Sequence, residues 1–173
     1  RMVLVLAGLM TAAAVHAAAP VTYDFEADDA AAAWVATGPN ATAKVSHAEA
    51  DVRAGKGALL WADAGQPGAP FSLTKAELDI AGARSLALSA KASSQAPLAF
   101  SLAEEDGSAY HTFVTLPAEQ WCDIALPLTD FQLQDGSQDE NGALDADQAR
   151  TFTIQELANM PGEFGDIFGT KLG

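Results

Sequence analysis

The sequence predicts an all-β sandwich, and three observations carry that reading. Past residue 20 the chain is a series of short apolar runs, punctuated by Gly, Pro, Asn, Asp and Ser at intervals of about ten residues. Within the clearest runs, apolar side chains fall at every second position, the period of a strand with one buried face. Of the 173 residues, 49% are apolar and 18% charged, which suits one domain with a full core and is far from a disordered composition.

Residues 1–19, RMVLVLAGLMTAAAVHAAA, carry one positive charge, then an apolar run, then small residues, the layout of a secretory signal peptide. Val15-His16-Ala17 puts small residues at the two positions a signal peptidase reads, so residues 1–17 are expected to be removed. A cut after Ala19 would place Pro20 just past the bond. As a retained membrane anchor the strongly apolar part, from Met2 to Met10, is too short to span hydrocarbon unless the alanines join it. Arg1 precedes Met2, so the start of the natural leader is expected to lie upstream.

The domain is expected over residues 20–173. Residues 21–26 form its first run. Residues 30–37 are alanine-rich and could open as a helical turn, yet Trp34-Val35 before Gly38-Pro39-Asn40 reads as a strand ending in a turn. Residues 42–47 and 58–63 follow, on either side of the turn Arg53-Ala54-Gly55-Lys56-Gly57. The series continues at 71–80, 85–91 and 98–103. Leu86 and Leu88 alternate with Ser85, Ala87 and Ser89, and Leu98, Phe100 and Leu102 alternate with Ala99, Ser101 and Ala103. Small outward side chains of this kind leave a shallow floor on which a ligand or another chain can lie.

Residues 108–131 read as a β-hairpin, two alternating runs joined by a Pro-Ala-Glu-Gln turn. In the second run Cys122, Ile124, Leu126 and Leu128 share the core face. In the first, Tyr110, Thr112, Val114 and Leu116 oppose His111, Phe113 and Thr115, so both faces carry an aromatic. Residues 132–148 are acidic and turn-rich, and residues 150–157 restore one alternating run with Phe152 and Ile154 in phase. The tail 158–173 is Gly-rich.

Acidic side chains outnumber basic ones 23 to 9, for a formal charge of -14, so the summed field repels phosphate backbones and anionic lipids. Nucleic acid is therefore not an expected partner. Cys122 is the one cysteine, which excludes an internal disulfide and a thiolate zinc site. There is no phosphate loop, nucleophile elbow or His-Glu zinc motif. The acidic loop starting at Asp135 fails as an EF-hand, having Glu140 where the sixth-place Gly belongs and Ala146 where the twelfth-place Glu belongs. In Tyr23-Asp24-Phe25-Glu26 the two aromatics can enter the core while Asp24 and Glu26 stay together outside, near Asp28 and Asp29, a strand end that could offer hard oxygen ligands.

The order Tyr23-Asp24-Phe25-Glu26, Trp34, Gly55-Lys56-Gly57-Ala58-Leu59-Leu60, then Trp121 leading through Leu126-Pro127-Leu128 to Asp130-Phe131, resembles the galactose-binding-like jelly rolls. It is most similar to the family-11-type carbohydrate-binding modules and the related complex I intermediate-associated protein domains. The resemblance implies a jelly-roll β-sandwich of two antiparallel sheets, a structural calcium near the first strand, and a sugar cleft on the concave sheet. It makes Glu26, with Asp24 beside it, the side-chain calcium ligand, and the Gly55 to Gly57 turn a source of carbonyls. The family's last strand carries an Ile-Asp-Asp-type segment that has no counterpart here. The chain is therefore expected to be truncated and to lack that strand, the alternative being an incomplete calcium site.

Sugar recognition by such a module rests on aromatic rings against pyranose faces, with polar side chains on the hydroxyls. The candidates are Trp61, Tyr110, His111 and Phe113, with Lys91 and Asp123 as polar neighbours; core packing competes for each aromatic, and Trp34 and Trp121 are assigned to structure. The expectation is an exported, non-catalytic module, secreted or periplasmic and without a membrane span after processing, that binds a polysaccharide or oligosaccharide. Alternatives are an envelope or assembly protein that holds a protein partner, and a small glycan hydrolase.

Overall fold

The structure, a computed structural model, describes residues 2–13, 22–62 and 71–159, with side chains described for 2–6, 22–62 and 71–159. The strands in these segments are β1 (Val3–Ala13), β2 (Thr22–Tyr23), β3 (Trp34–Thr37), β4 (Thr42–Ser46), β5 (Ala58–Ala62), β6 (Phe71–Lys75), β7 (Ala83–Ala92), β8 (Ala96–Glu104), β9 (Ala109–Leu116), β10 (Cys122–Pro127), β11 (Gln132–Leu133) and β12 (Ala149–Glu156). They form two sheets. The first has the order β10-β7-β1-β5-β4 with β2 also paired to β1, and the second β11-β9-β8-β12-β6-β3. Neighbouring strands are antiparallel throughout. Among the described residues no helix is long and apolar enough to cross a membrane.

The period-2 pattern decides which side chains meet between the sheets. From the first sheet come Leu59 and Trp61 of β5, Leu86, Leu88 and Ala90 of β7, and Ile124 and Leu126 of β10; from the second come Phe71 and Leu73, Leu98, Phe100 and Leu102, and Phe152 and Ile154. Trp61 stacks on Phe71 across the layer, centroids 4.0 Å apart and planes 20° apart. Phe152 lies 6.0 Å from Phe100 and 6.5 Å from Trp34, which in turn lies 6.1 Å from Phe25. Residues 30–37 combine both expected forms, a 3-10 turn over Ala30–Ala33 leading into β3. Cys122 is half-buried against the core.

Two expectations are corrected. Residues 108–131 are not a hairpin: β9 pairs with β8 and β11 in the second sheet, while β10 pairs with β7 in the first. The Pro-Ala-Glu-Gln segment carries the chain from one sheet to the other. Inward-facing Tyr110 and Leu116 thus lie across the core from Ile124 and Leu126, where both sets lose their water. The run expected over 71–80 stops at Lys75, because Glu77 takes a positive φ of 54°.

The apolar run expected to belong to a leader forms β1, between β5 and β7. Leu4 and Leu6 enter the core and Val5 is buried on the opposite face. Burying side chains of this size stabilises by about 1.5–3 kcal/mol each. The bond after Ala17 lies outside the described residues.

Two glycines set the turn before β5. Gly55 has φ +76°, and a Cβ there would sit 2.0 Å from Glu26 Oε1; a Cβ on Gly57 would sit 1.9 Å from the Phe25 carbonyl oxygen. The second clash is with backbone, which cannot swing aside. Gly57→Ala is therefore expected to destabilise by about 1–3 kcal/mol in denaturant melts. Gly82→Ala, where a Cβ meets nothing within 4 Å, should cost only its left-handed backbone strain, about 1 kcal/mol. Equal losses at the two positions would remove the steric argument.

Candidate functional site

The outer face of the second sheet is built from what the core leaves over. On β8 the residues out of phase with Leu98, Phe100 and Leu102 are Ala99 and Ser101; on β9 they are His111 and Phe113; on β12 they are Thr153 and Gln155. Register aligns them in rows. Phe113, Ala99 and Gln155 form one, continuing to Ser72 on β6, and His111, Ser101, Thr153 and Thr74 form the next. Thr74 and Thr153 share a hydroxyl hydrogen bond of 3.1 Å.

Small side chains in the middle of these rows leave a hollow of about 150 Å³, lined by Ala99, Ser101, His111, Phe113, Gln134, Gln155 and Leu157. Phe113 is 53% exposed. Its ring centroid is 4.8 Å from that of His111, at 54°, so the two make one tilted aromatic wall. The wall presents π-faces, and the amides of Gln134 and Gln155 offer donors and acceptors at the rim. The floor of small residues is the one expected for the 98–103 run. Gln134, Gln155 and Leu157 are additions; Gln155 was detectable by phase, since it alternates with Phe152 and Ile154.

Of the expected sugar contacts, His111 and Phe113 share this face. Trp61 and Tyr110 do not, being 0% and 1% exposed in the layer between the sheets. Their strands put them on the inward phase, where a large ring fills volume that a ligand cannot reach. Lys91 and Asp123 lie on β7 and β10, on the outer face of the first sheet. There Asp123 accepts from Arg53 Nη2 and Ser89 Oγ, both at 2.5 Å, and Lys91 donates to the Ala50 carbonyl at 2.6 Å. Lys91 Nζ and the Arg53 guanidinium lie 5.4 and 5.9 Å from the centroid of the Trp121 ring. These contacts pin the segment from Ala50 to Arg53 over the first sheet.

The Tyr110 hydroxyl donates to Asp139, which anchors the acidic loop to β9. Burial and that carboxylate push the phenol well above its ordinary range. The same bond, helped by the amides of Asn141 and Ala143, holds Asp139 below its ordinary range. The contribution of Asp139 is thus present above the carboxylate's unfolded pKa and lost as pH falls through the folded one. That of Tyr110 is lost as pH rises through its own raised value. Glu104, Asp106 and Asp139 form a group of three carboxylates within 4.8 Å of one another. Glu104 is buried and already accepts from the Ser108 hydroxyl and, at 2.5 Å, from the Asp145 amide.

Asp24 and Glu26 are exposed. Glu26 Oε1 accepts the Lys56 amide at 2.8 Å, and Asp24 Oδ1 meets the Glu26 amide at 3.5 Å. The Lys56 carbonyl is taken by His47 Nδ1 at 2.7 Å, while His47 Nε2 meets Asp28 at 2.8 Å. The Lys56 carbonyl, then Asp28, raise the imidazole pKa, so the link is strongest below the ordinary histidine range and weakens as pH climbs through the raised value. One carboxylate thus reaches the Gly55 to Gly57 turn and a second stands beside it, part of the six to eight oxygens that calcium takes.

No family model matches the sequence, and no curated protein matches it. Among the solved structures similar to this chain, two are family 11 carbohydrate-binding modules. One is the family 11 carbohydrate-binding module of the cellulosomal cellulase Lic26A-Cel5E of Clostridium thermocellum, at 15% identity and a TM-score of 0.54, over 73% of this chain and 79% of that one. The other is a family 11 carbohydrate-binding module from Clostridium thermocellum in complex with a β-1,3-1,4-mixed-linked tetrasaccharide, at 12% identity and a TM-score of 0.57, over 89% of each chain. At such identities the likeness is one of fold: this chain is an all-β jelly-roll sandwich of the family 11 carbohydrate-binding-module type.

Proposed function

We propose that this is an exported, non-catalytic carbohydrate-binding module that takes a polysaccharide or oligosaccharide on the outer face of its second sheet. One observation carries the reading: Phe113, exposed beside His111, walls a floor of Ala99 and Ser101. A pyranose lays its C–H face on such a ring while its edge hydroxyls meet amides like those of Gln134 and Gln155. The fold neighbour that carries a mixed-linked tetrasaccharide supports a sugar as the ligand class. The leader layout of residues 1–17 supports export, and a neutral glycan is indifferent to the protein's acidic field.

Affinity electrophoresis against soluble glucans, xylans and mannans tests the proposal, with retardation expected for at least one. Phe113→Ala should weaken that binding about tenfold, near 1.4 kcal/mol, while stability moves by less than about 0.5 kcal/mol, since the ring is exposed. No retardation by any glycan, together with capture of a defined protein, would favour the assembly reading instead.

Calcium belongs to the proposal as a structural ion on Asp24 and Glu26, supported by the reach of Glu26 to the Gly55 turn. When bound it would supply a hard cation that ties the start of the domain to that turn. Added calcium should raise the melting temperature relative to chelator, and Glu26→Gln should abolish the difference. Identical melting in both conditions would leave the turn held by the Glu26 to Lys56 hydrogen bond alone.

A further inference from the structure

Gln134 reaches the hollow from a segment with little apolar surface to hold it. It follows β11, which is two residues long, and from Gln134 to Gly142 the chain has no apolar side chain to give to the core. Leu144 and Ala146 supply the next packing contacts, at the far end of the acidic loop. Between those ends the described ties to β9 are hydrogen bonds. The Gln134 amide donates to the Ala109 carbonyl at 2.8 Å, and the Ala109 amide donates to Ser137 Oγ at 2.8 Å, while the Ser137 amide returns to the Gln134 carbonyl at 2.9 Å. The third tie is the Tyr110 hydroxyl on Asp139.

Of these ties the last is charge-assisted, the stronger class of hydrogen bond, and it works against a repulsion. It holds Asp139 beside Glu104 and Asp106, with carboxylate oxygens within 4.8 Å of one another. Residues 134–148 contain no Lys or Arg to offset that charge. Like charges this close favour separation. Glu104 and Asp106 are kept in place by their own bonds, Glu104 by the Ser108 hydroxyl and the Asp145 amide, Asp106 by the Ser108 amide at 2.8 Å. The other donors to Asp139, the amides of Asn141 and Ala143, lie within the loop and would travel with it. Without the phenol, Asp139 is the member of the group that leaves.

Tyr110 connects this loop to the hollow without touching it. Its ring is fixed in the layer between the sheets, so the hydroxyl is presented from a rigid base. Its chain neighbours do the rest: His111 lines the hollow, and Ala109 gives both its amide and its carbonyl to the segment that carries Gln134. We propose that Tyr110 is a positioning residue for the glycan site: through its hydroxyl and Asp139 it holds the acidic loop against β9, and thereby sets the Gln134 amide at the rim beside His111 and Phe113.

The proposal rests on the carbohydrate-binding reading, and its test separates the two. Isothermal titration with a β-1,3-1,4-mixed-linked tetrasaccharide, or with whichever soluble glycan retards the protein, compares wild type with Tyr110→Phe, Gln134→Ala and the double variant. Each single change is expected to weaken binding about fivefold, the worth of one hydrogen-bonding side chain, and the double variant no more than either. The amides of Ala109 and Gln134 should exchange faster in Tyr110→Phe than in wild type. Asp139→Asn keeps an oxygen for the phenol and should recover most of the affinity that Asp139→Ala loses. Absence of glycan binding by wild type would overturn the carbohydrate reading and the proposal with it. Wild-type binding that Tyr110→Phe leaves intact, or losses that multiply to about twenty-fivefold in the double variant, would overturn the proposal alone and leave Tyr110 as a core residue.

Discussion

The dry layer between the sheets is the constraint on which everything else depends. Trp61 of the first sheet stacked on Phe71 of the second is its clearest contact, and the alternating rows around it leave each strand one face to give to anything else. Because strand period is two, the identity of every inward residue dictates the identity of its outward neighbours. Tyr110 and Leu116 inward oblige His111, Phe113 and Thr115 to face out; Leu98, Phe100 and Leu102 inward leave Ala99 and Ser101 as floor. The candidate site is the reverse side of the core.

That reverse side differs between the sheets. On the first, the segment from Ala50 to Arg53 is held down by Lys91, Asp123 and Trp121, so charge and aromatic surface there are spent on closing the domain. On the second, no such strap covers Phe113 among the described residues, and the aromatic wall stands against small and amide-bearing neighbours. A surface with one exposed ring over a shallow floor suits a ligand with flat apolar faces and hydroxylated edges better than it suits a buried catalytic centre. This contrast confines the proposed site to one sheet.

Much of the fold was legible in the sequence, because strict alternation at β8, β10 and β12 leaves a single choice of buried face. The site was half legible. Phase placed His111 and Phe113 opposite Tyr110, but nothing local says which of two aromatic faces is core, and bulk decided it only when Tyr110 met the layer. Lys91 and Asp123 have the outward phase expected of them and lie on the other sheet, because a short Pro-containing connection can join strands side by side or carry the chain across a sandwich. The partner of a strand is a long-range fact. The same limit hides β1: an apolar run that a signal peptidase complex would read is also a run that a sheet interior accepts.

The most direct test of the account is a two-dimensional amide NMR titration of the protein with a β-1,3-1,4-mixed-linked tetrasaccharide, or with whichever soluble glycan retards it. Shifts are expected to cluster on the Phe113, Ala99 and Gln155 row and on its neighbour through His111, Ser101 and Thr153. Shifts confined to the Arg53, Trp121 and Asp123 face, or none with any glycan at millimolar concentration, would contradict it.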